Sequence, residues 1–254
     1  MITVSAIPAF ADNYIWALHD KGSAVIVDPG DAAPVLAFLK THHLTLAAIL
    51  ITHHHADHAG GVAGLLAHTP VPVWGPAFES IAGVSNPVNE PATITLPALG
   101  LNMTVLDVPG HTAGHIAYYS APWLFCGDTL FACGCGRLFE GTPEQMLHSL
   151  QKLAQLPGDT AIYCAHEYTL SNIAFAQNAE PNNEILRRRA IEAAKRRQQG
   201  LPTVPSRLDL EWATNPFLRC HEPDIGQAMA THTGTLPTDT VAVFAALRQW
   251  KNHF

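Results

Sequence analysis

The sequence predicts a mixed α/β domain followed by a small helical domain, and three observations carry that prediction. Up to about residue 170 the chain is a succession of short apolar, β-branched runs punctuated by Gly and Pro. Beyond Leu170 the pattern turns helical, most clearly over residues 184–199, which contain neither Gly nor Pro. The charge divides at the same place: residues 1–170 hold four Lys or Arg against 13 Asp or Glu, and residues 171–254 hold ten against eight. The expected domains are therefore 1–170 and 171–254.

The elements follow in order. Residues 24–27, ahead of Asp28-Pro29-Gly30, are expected as a strand, as are 47–51, 71–74, 103–108, 116–120, 123–126 and 160–164. The Ala121-Pro122 break between two of these runs predicts a tight hairpin. Helices are expected at 33–42, 61–68 and 143–156; the last opens with Thr142 as N-cap and Pro143 at the first helical position. In the second part, 184–199 carries Leu186, Ile191 and Ala194 among many charges, with Arg187–Arg189 and Lys195–Arg197 read as a solvated face. Residues 201–237 are Pro-rich and read as irregular. Residues 240–250 read as a final helix with Val241, Phe244 and Leu247 on one side.

Composition narrows the function. With 48% hydrophobic and 14% charged residues the chain can bury a sizeable core and is not disordered. A net charge of −7 argues against a nucleic-acid binder. The longest uncharged run, residues 58–78, contains His, Gly and three Pro, so no membrane span is expected. The start lacks a signal peptide's basic residues, and five Cys form no CxxC pair, which suits a soluble, cytoplasmic protein. The five are expected to be buried filler, with Cys135 nearest a site because it lies in the Gly134–Gly136 loop.

Histidine stands out: there are 15, more than all Lys and Arg together, and 12 precede residue 170. His53, His55, Asp57 and His58 follow the apolar run 47–51 and lead into Gly60-Gly61. Residues two apart at an extended strand end point the same way, so His53 and His55 can share a ligand while His54 faces elsewhere. Such a cluster, with a carboxylate at a strand-to-helix turn, predicts a metal site. Three later turns supply further candidates just past strand ends: His111 after Pro109-Gly110, Asp128 after Gly127, and His166. Asp28 could orient a ligand histidine from outside, or could simply make the Asp-Pro-Gly turn.

The runs THHHADHAGG, PGHTAGH, CGDTLF and CAHEYT, in that order, resemble the metallo-β-lactamase superfamily, and within it glyoxalase II, the hydroxyacylglutathione hydrolases. The resemblance extends to Ile7–Phe10, Asp12–Tyr14, Gly134–Arg137, Glu140–Thr142, Thr203–Ser206 and Asn215–Arg219. It implies a four-layer αββα sandwich followed by a C-terminal helical domain that binds substrate. It implies that His53, His55 and His111 hold one divalent metal ion, Asp57, His58 and His166 a second, and Asp128 both. Asp57 and Asp128 would then be the carboxylates at the reacting centre, where a bridging water or hydroxide attacks. Zinc is the ion expected first, with iron or manganese as alternatives.

The implied reaction is hydrolysis of S-D-lactoylglutathione, the second step of methylglyoxal detoxification, by a monomer acting on a small-molecule thioester. A thiolate leaving group with a conjugate-acid pKa of about 8.5 needs no strong general acid. The resemblance places substrate contacts at Arg137, Phe139 (which lacks the hydroxyl of some relatives) and Tyr168. Arg248 and Lys251 share a helix face; spacing alone describes a basic helix end favoured by the helix dipole. The resemblance implies that they bind the glutathione carboxylate. Persulfide dioxygenases look similar around the metal but generally lack the long C-terminal stretch, and β-lactamases typically have no Asp at the position of Asp128.

Overall fold

Short β-branched runs form strands, and most of the stretches between them helices, in the computed structural model, which describes all 254 residues. Contacts divide the chain into unit 1, Met1–Asp107 with Thr112–Gly127, and unit 2, Val108–His111 with Asp128–Phe254.

In unit 1, β1 (Thr3–Ala9), β2 (Asn13–His19), β3 (Ser23–Val27), β4 (Thr45–Leu50), β5 (Val73–Pro76) and β6 (Asn86–Val88) form one sheet in that order. β1 to β3 pair antiparallel, β3 to β6 parallel. The parallel pairs need crossovers, which α1 (Ala32–His42) supplies between β3 and β4, and α2 (Ala56–Ala59) with α3 (Val62–His68) between β4 and β5. Along β2, Ile15 and Ala17 join Val35, Leu39, Val62 and Leu65 of α1 and α3 in one core cluster. Tyr14, Trp16 and Leu18, on the opposite side of β2, are buried too. The sheet is thus covered on both faces, which is why its strands read as continuous apolar runs rather than alternating ones. β7 (Thr93–Leu96), β8 (Leu101–Asp107), β9 (Ile116–Ser120) and β10 (Trp123–Gly127) form an antiparallel ladder. The hairpin expected at Ala121-Pro122 joins β9 to β10, with Trp123 opposite Ser120. Tyr118 Oη ties this ladder to the first sheet by donating to Ile51 O at 2.9 Å.

Unit 2 begins with the small hairpin of β11 (Leu130–Phe131) and β12 (Gly134–Cys135). α4 (Pro143–Leu153) opens with a capping box in which Thr142 and Gln145 satisfy each other's backbone N–H groups. It stops three residues short of the expected 156. β13 (Ala161–Cys164), α5 (Thr169–Ala179), α6 (Glu184–Gln198), β14 (Ser206–Arg207), α7 (Leu208–Thr214), α8 (Pro223–Thr233) and α9 (Thr240–Asn252) follow. β14 pairs antiparallel with β13.

Three expectations are corrected here. Residues 201–237 are not irregular: α8 has Pro at its first position and buries Ile225 and Met229, four apart, while α7 buries Leu208, Glu211 and Thr214. The face α6 buries is Leu186, Arg189 and Ala193, and Ile191 is 73% exposed. Arg189 is therefore not on a solvated face; it is buried against Glu211. The strands β1 and β2 were not among the expected elements, because β2 is buried on every residue but its last and shows no alternation.

Candidate functional site

Parallel pairing brings the carboxyl ends of β3 and β4 side by side, so the residues just past them meet. Asp28 N–H donates to Leu50 O at 2.9 Å. The Asp28 carboxylate in turn accepts from Thr52 N–H and from Thr52 Oγ1, each at 2.8 Å. Asp28 Oδ2 also lies 3.0 Å from Nδ1 of His58, which stands on the single-turn helix α2 rather than in a turn. His53 Nδ1 lies 3.1 Å from Thr52 Oγ1. Because that hydroxyl gives its proton to Asp28, His53 Nδ1–H is the donor to it. In both His53 and His58 the proton sits on Nδ1 and the lone pair on Nε2, the form in which imidazole ligates a cation.

The rest of this group is close by. His53 has ring centroids 4.7 Å from His55 and 4.0 Å from His58. The ligand atoms of His53 and His55, of His53 and His58, and of Asp57 and His58 come within 4.8 Å. Asp57 Oδ2 accepts from Asn13 Nδ2 at 3.0 Å and lies 3.6 Å from His58 Nε2. His115 is buried with its ring stacked on His53 at 4.6 Å. His54 is half-buried with Nδ1 3.8 Å from Glu79 Oε2.

In unit 2, one oxygen meets two histidines: Asp128 Oδ2 lies 3.4 Å from His111 Nε2 and 3.3 Å from His166 Nε2. His111 Nδ1–H donates to Arg137 O at 2.8 Å, which again leaves Nε2 with its lone pair. Gly136 makes this approach possible, since a Cβ there would collide with the Asp128 carbonyl and lie 3.0 Å from His111 Nδ1. Tyr168 stacks flat on His166 at 4.6 Å, and Phe139 meets His111 edge-on at 5.2 Å. In both units, then, an imidazole lone pair and a carboxylate oxygen face one another. Two acceptors repel unless a proton or a cation lies between them, and imidazole with carboxylate, without thiolate, is the donor chemistry of a divalent metal ion.

Among the residues expected to hold substrate, Arg137, Phe139 and Tyr168 are exposed. Lys251 Nζ donates to Ser171 Oγ at 3.3 Å and lies over the rings of Phe175 and Phe254. Partial burial holds its pKa below the ordinary lysine value, and the charges of Arg248 and Arg137 add to this. Arg248 is differently placed from an open carboxylate receptor: it is 5% exposed, over the Phe217 ring at 5.0 Å. Its Nη1 donates to Cys135 O at 2.8 Å and its Nε to Asn252 Oδ1 at 3.1 Å. All five cysteines are buried and free. Burial pushes the thiols of Cys133 and Cys164 up to about 12 and raises those of Cys135 and Cys220. Thr52 and Glu79 escaped sequence reasoning: each acts through a partner distant in sequence, and neither residue type marks a site.

The comparisons with known proteins agree with this chemistry. Residues 11–166 match the metallo-beta-lactamase superfamily, and residues 167–254 match the hydroxyacylglutathione hydrolase C-terminus. The chain is 59% identical to a hydroxyacylglutathione hydrolase of Alkalilimnicola ehrlichii, over 99% of each chain. It is 53% identical to a hydroxyacylglutathione hydrolase of Nitrosomonas eutropha, over 100% of each. The crystal structure of TTHA1623 in a di-iron-bound form is 27% identical with a TM-score of 0.53, covering 65% of this chain and 91% of that one. The mixed sheets and helices are those of the metallo-β-lactamase fold, and this chain belongs to that superfamily and, within it, to the hydroxyacylglutathione hydrolase family of enzymes.

Proposed function

We propose that this chain hydrolyses S-D-lactoylglutathione, and related 2-hydroxyacylglutathione thioesters, to glutathione and the hydroxy acid. The observation that carries this reading is the pairing of imidazole lone pairs with carboxylate oxygens in both units. In this reading the two groups hold one binuclear centre. His53, His55 and His111 would hold the first ion, Asp57, His58 and His166 the second, and Asp128 would serve both. Zinc is the ion we assign; the iron in TTHA1623 makes iron the first alternative, and manganese accepts the same donors.

Two divalent ions held by these residues would polarise a thioester carbonyl and lower the pKa of the attacking water. The chain's own residues do the rest. Asp28, directly and through Thr52, keeps His58 and His53 in the ligating tautomer, and the Arg137 carbonyl does the same for His111. Arg137, Phe139, Tyr168 and Lys251 form the glutathione site. Lys251 supplies charge to a carboxylate of the anionic substrate, while Arg248 holds the Cys135 carbonyl in place. Residues 1–170 form the catalytic domain and residues 171–254 the substrate-binding domain. The enzyme acts as a cytoplasmic monomer with no nucleic-acid or membrane partner; its net charge of −7 supports the first absence. No helix is long and apolar enough to cross a membrane.

Metal analysis combined with thioester hydrolysis tests the reading. About two ions per chain are expected, with activity lost on chelation and restored by added zinc. Metal-loaded protein that leaves S-D-lactoylglutathione intact would overturn it.

A further inference from the structure

The hairpin of β11 and β12 follows Asp128 and leads into Arg137, yet it has little of its own to hold it. Each strand has two residues. Of the two loop residues only Cys133 has positive φ, 55°, which is neither of the turns favoured in such hairpins. A two-stranded hairpin alone is marginal at best. Side chains from three helices claim its backbone instead. Asn215, the C-cap of α7, donates through Nδ2 to Phe131 O at 3.1 Å and to Gly134 O at 3.0 Å. Asn172 of α5 donates to Ala132 O at 3.1 Å, and Arg248 of α9 donates to Cys135 O at 2.8 Å. In the other direction, Cys133 N–H donates to Glu211 Oε2 at 2.8 Å. Glu211 is fully buried, paired with Arg189, and accepts from Asn215 as well.

The ends of the hairpin are the two places that matter to the donors of unit 2. Gly136 N–H donates to Thr129 O at 3.2 Å, closing the loop beside Asp128. The next carbonyl, that of Arg137, fixes His111. A shift of the hairpin therefore moves Asp128 at one end and the partner of His111 at the other.

We propose that Asn215, backed by Glu211, Asn172 and Arg248, is a positioning residue for Asp128 and His111, so that the helices after residue 170 govern metal retention as well as substrate capture. The inference rests on the hydrolase reading only in taking Asp128 and His111 as ligands. Asn215→Asp keeps the size but turns a two-pronged donor into an acceptor facing two carbonyls; Asn172→Ala is milder and removes one bond. For each full-length variant, bound zinc, zinc affinity by chelator competition, thermal melting, kcat and KM would be measured. Zinc affinity is expected to fall about 10–100-fold, as for partners outside the ligand shell, with KM little changed. Lys251→Met should do the reverse, raising KM while two ions stay bound.

If Asn215→Asp does not fold, Asn172→Ala decides alone. Folded variants that keep both ions at wild-type affinity overturn the proposal. A wild type that binds two ions but hydrolyses no glutathione thioester overturns the hydrolase reading alone, and loss of zinc in the variants would still uphold the positioning role. A wild type that binds no zinc overturns both.

Discussion

The two groups of donors are built in opposite ways. In unit 1 they fall within residues 53–58, at the end of one strand and on the single-turn helix after it, and one buried carboxylate, Asp28, serves His58 directly and His53 through Thr52. In unit 2 they come from residues 111, 128 and 166, and the hairpin that follows Asp128 is held by side chains of distant helices. Parallel strands organise the first group by backbone pairing, supplemented by the nearby side chains of Asp28 and Thr52. The second has no such frame and depends on long-range hydrogen bonds to carbonyls. A group built locally should tolerate damage elsewhere; a group held at a distance should not.

Four substitutions test this contrast. The largest effect is expected from Asp128→Asn, because in the proposed centre one carboxylate would serve two cations and an amide cannot supply the charge. Activity should fall well beyond the 10–100-fold typical of partners outside the ligand shell, with part of the metal lost. Full metal content and near-normal turnover would show that Asp128 does not join the two groups. Next, Asp28→Asn should weaken binding of the ion assigned to Asp57, His58 and His166 by about 10–100-fold, because Asp28 meets His58 directly. The loss should be smaller at the ion assigned to His53, which Asp28 reaches only through Thr52; metal-to-protein ratios would read both. Equal loss of both ions would show that Asp28 serves the two histidines alike.

A smaller effect is expected at Lys251, which lies outside both groups. Losing one charged hydrogen bond costs roughly 1.5 kcal/mol, so Lys251→Met should raise KM about tenfold with little change in kcat. Its pKa is depressed by burial, so its charge is lost on raising pH sooner than an ordinary lysine's. KM should rise correspondingly early in the alkaline range in the wild type and stay flat in the variant; identical profiles would remove Lys251 from the substrate site. The smallest effect is expected at Glu184, whose ion pair with Arg187 is exposed: Glu184→Gln should change stability by less than about 0.5 kcal/mol in denaturant unfolding.

The same contrast sets what could be read from sequence. The strands 116–120 and 123–126, the hairpin between them and the capped start of α4 follow from short-range rules, so they were legible. The histidine cluster was legible for the same reason, since its spacing is local. Asn215, Glu211 and Asn172 were not, because nothing near them in sequence marks a partner some 40 to 85 residues away. Arg189 misled because a charge on a helix is usually solvated; only the fold supplies Glu211 opposite it. α8 was hidden by the Pro-rich stretch around it, although Pro223 itself was a start signal.

The buried cysteines have a consequence for the chemistry of the product. In the proposed reaction every turnover sets free a thiol beside a chain that has five thiols of its own. Exchange with glutathione or its disulfide requires a thiolate that solvent-borne sulfur can reach. Here all five are enclosed, and four have their ionisation pushed upward, Cys133 and Cys164 to about 12. Cys135, the one beside Arg248, is closest to losing that protection, yet burial still outweighs the neighbouring positive charge. The chain is thereby inert toward mixed-disulfide formation with the compound it releases, and its turnover should be indifferent to the redox balance of the glutathione pool.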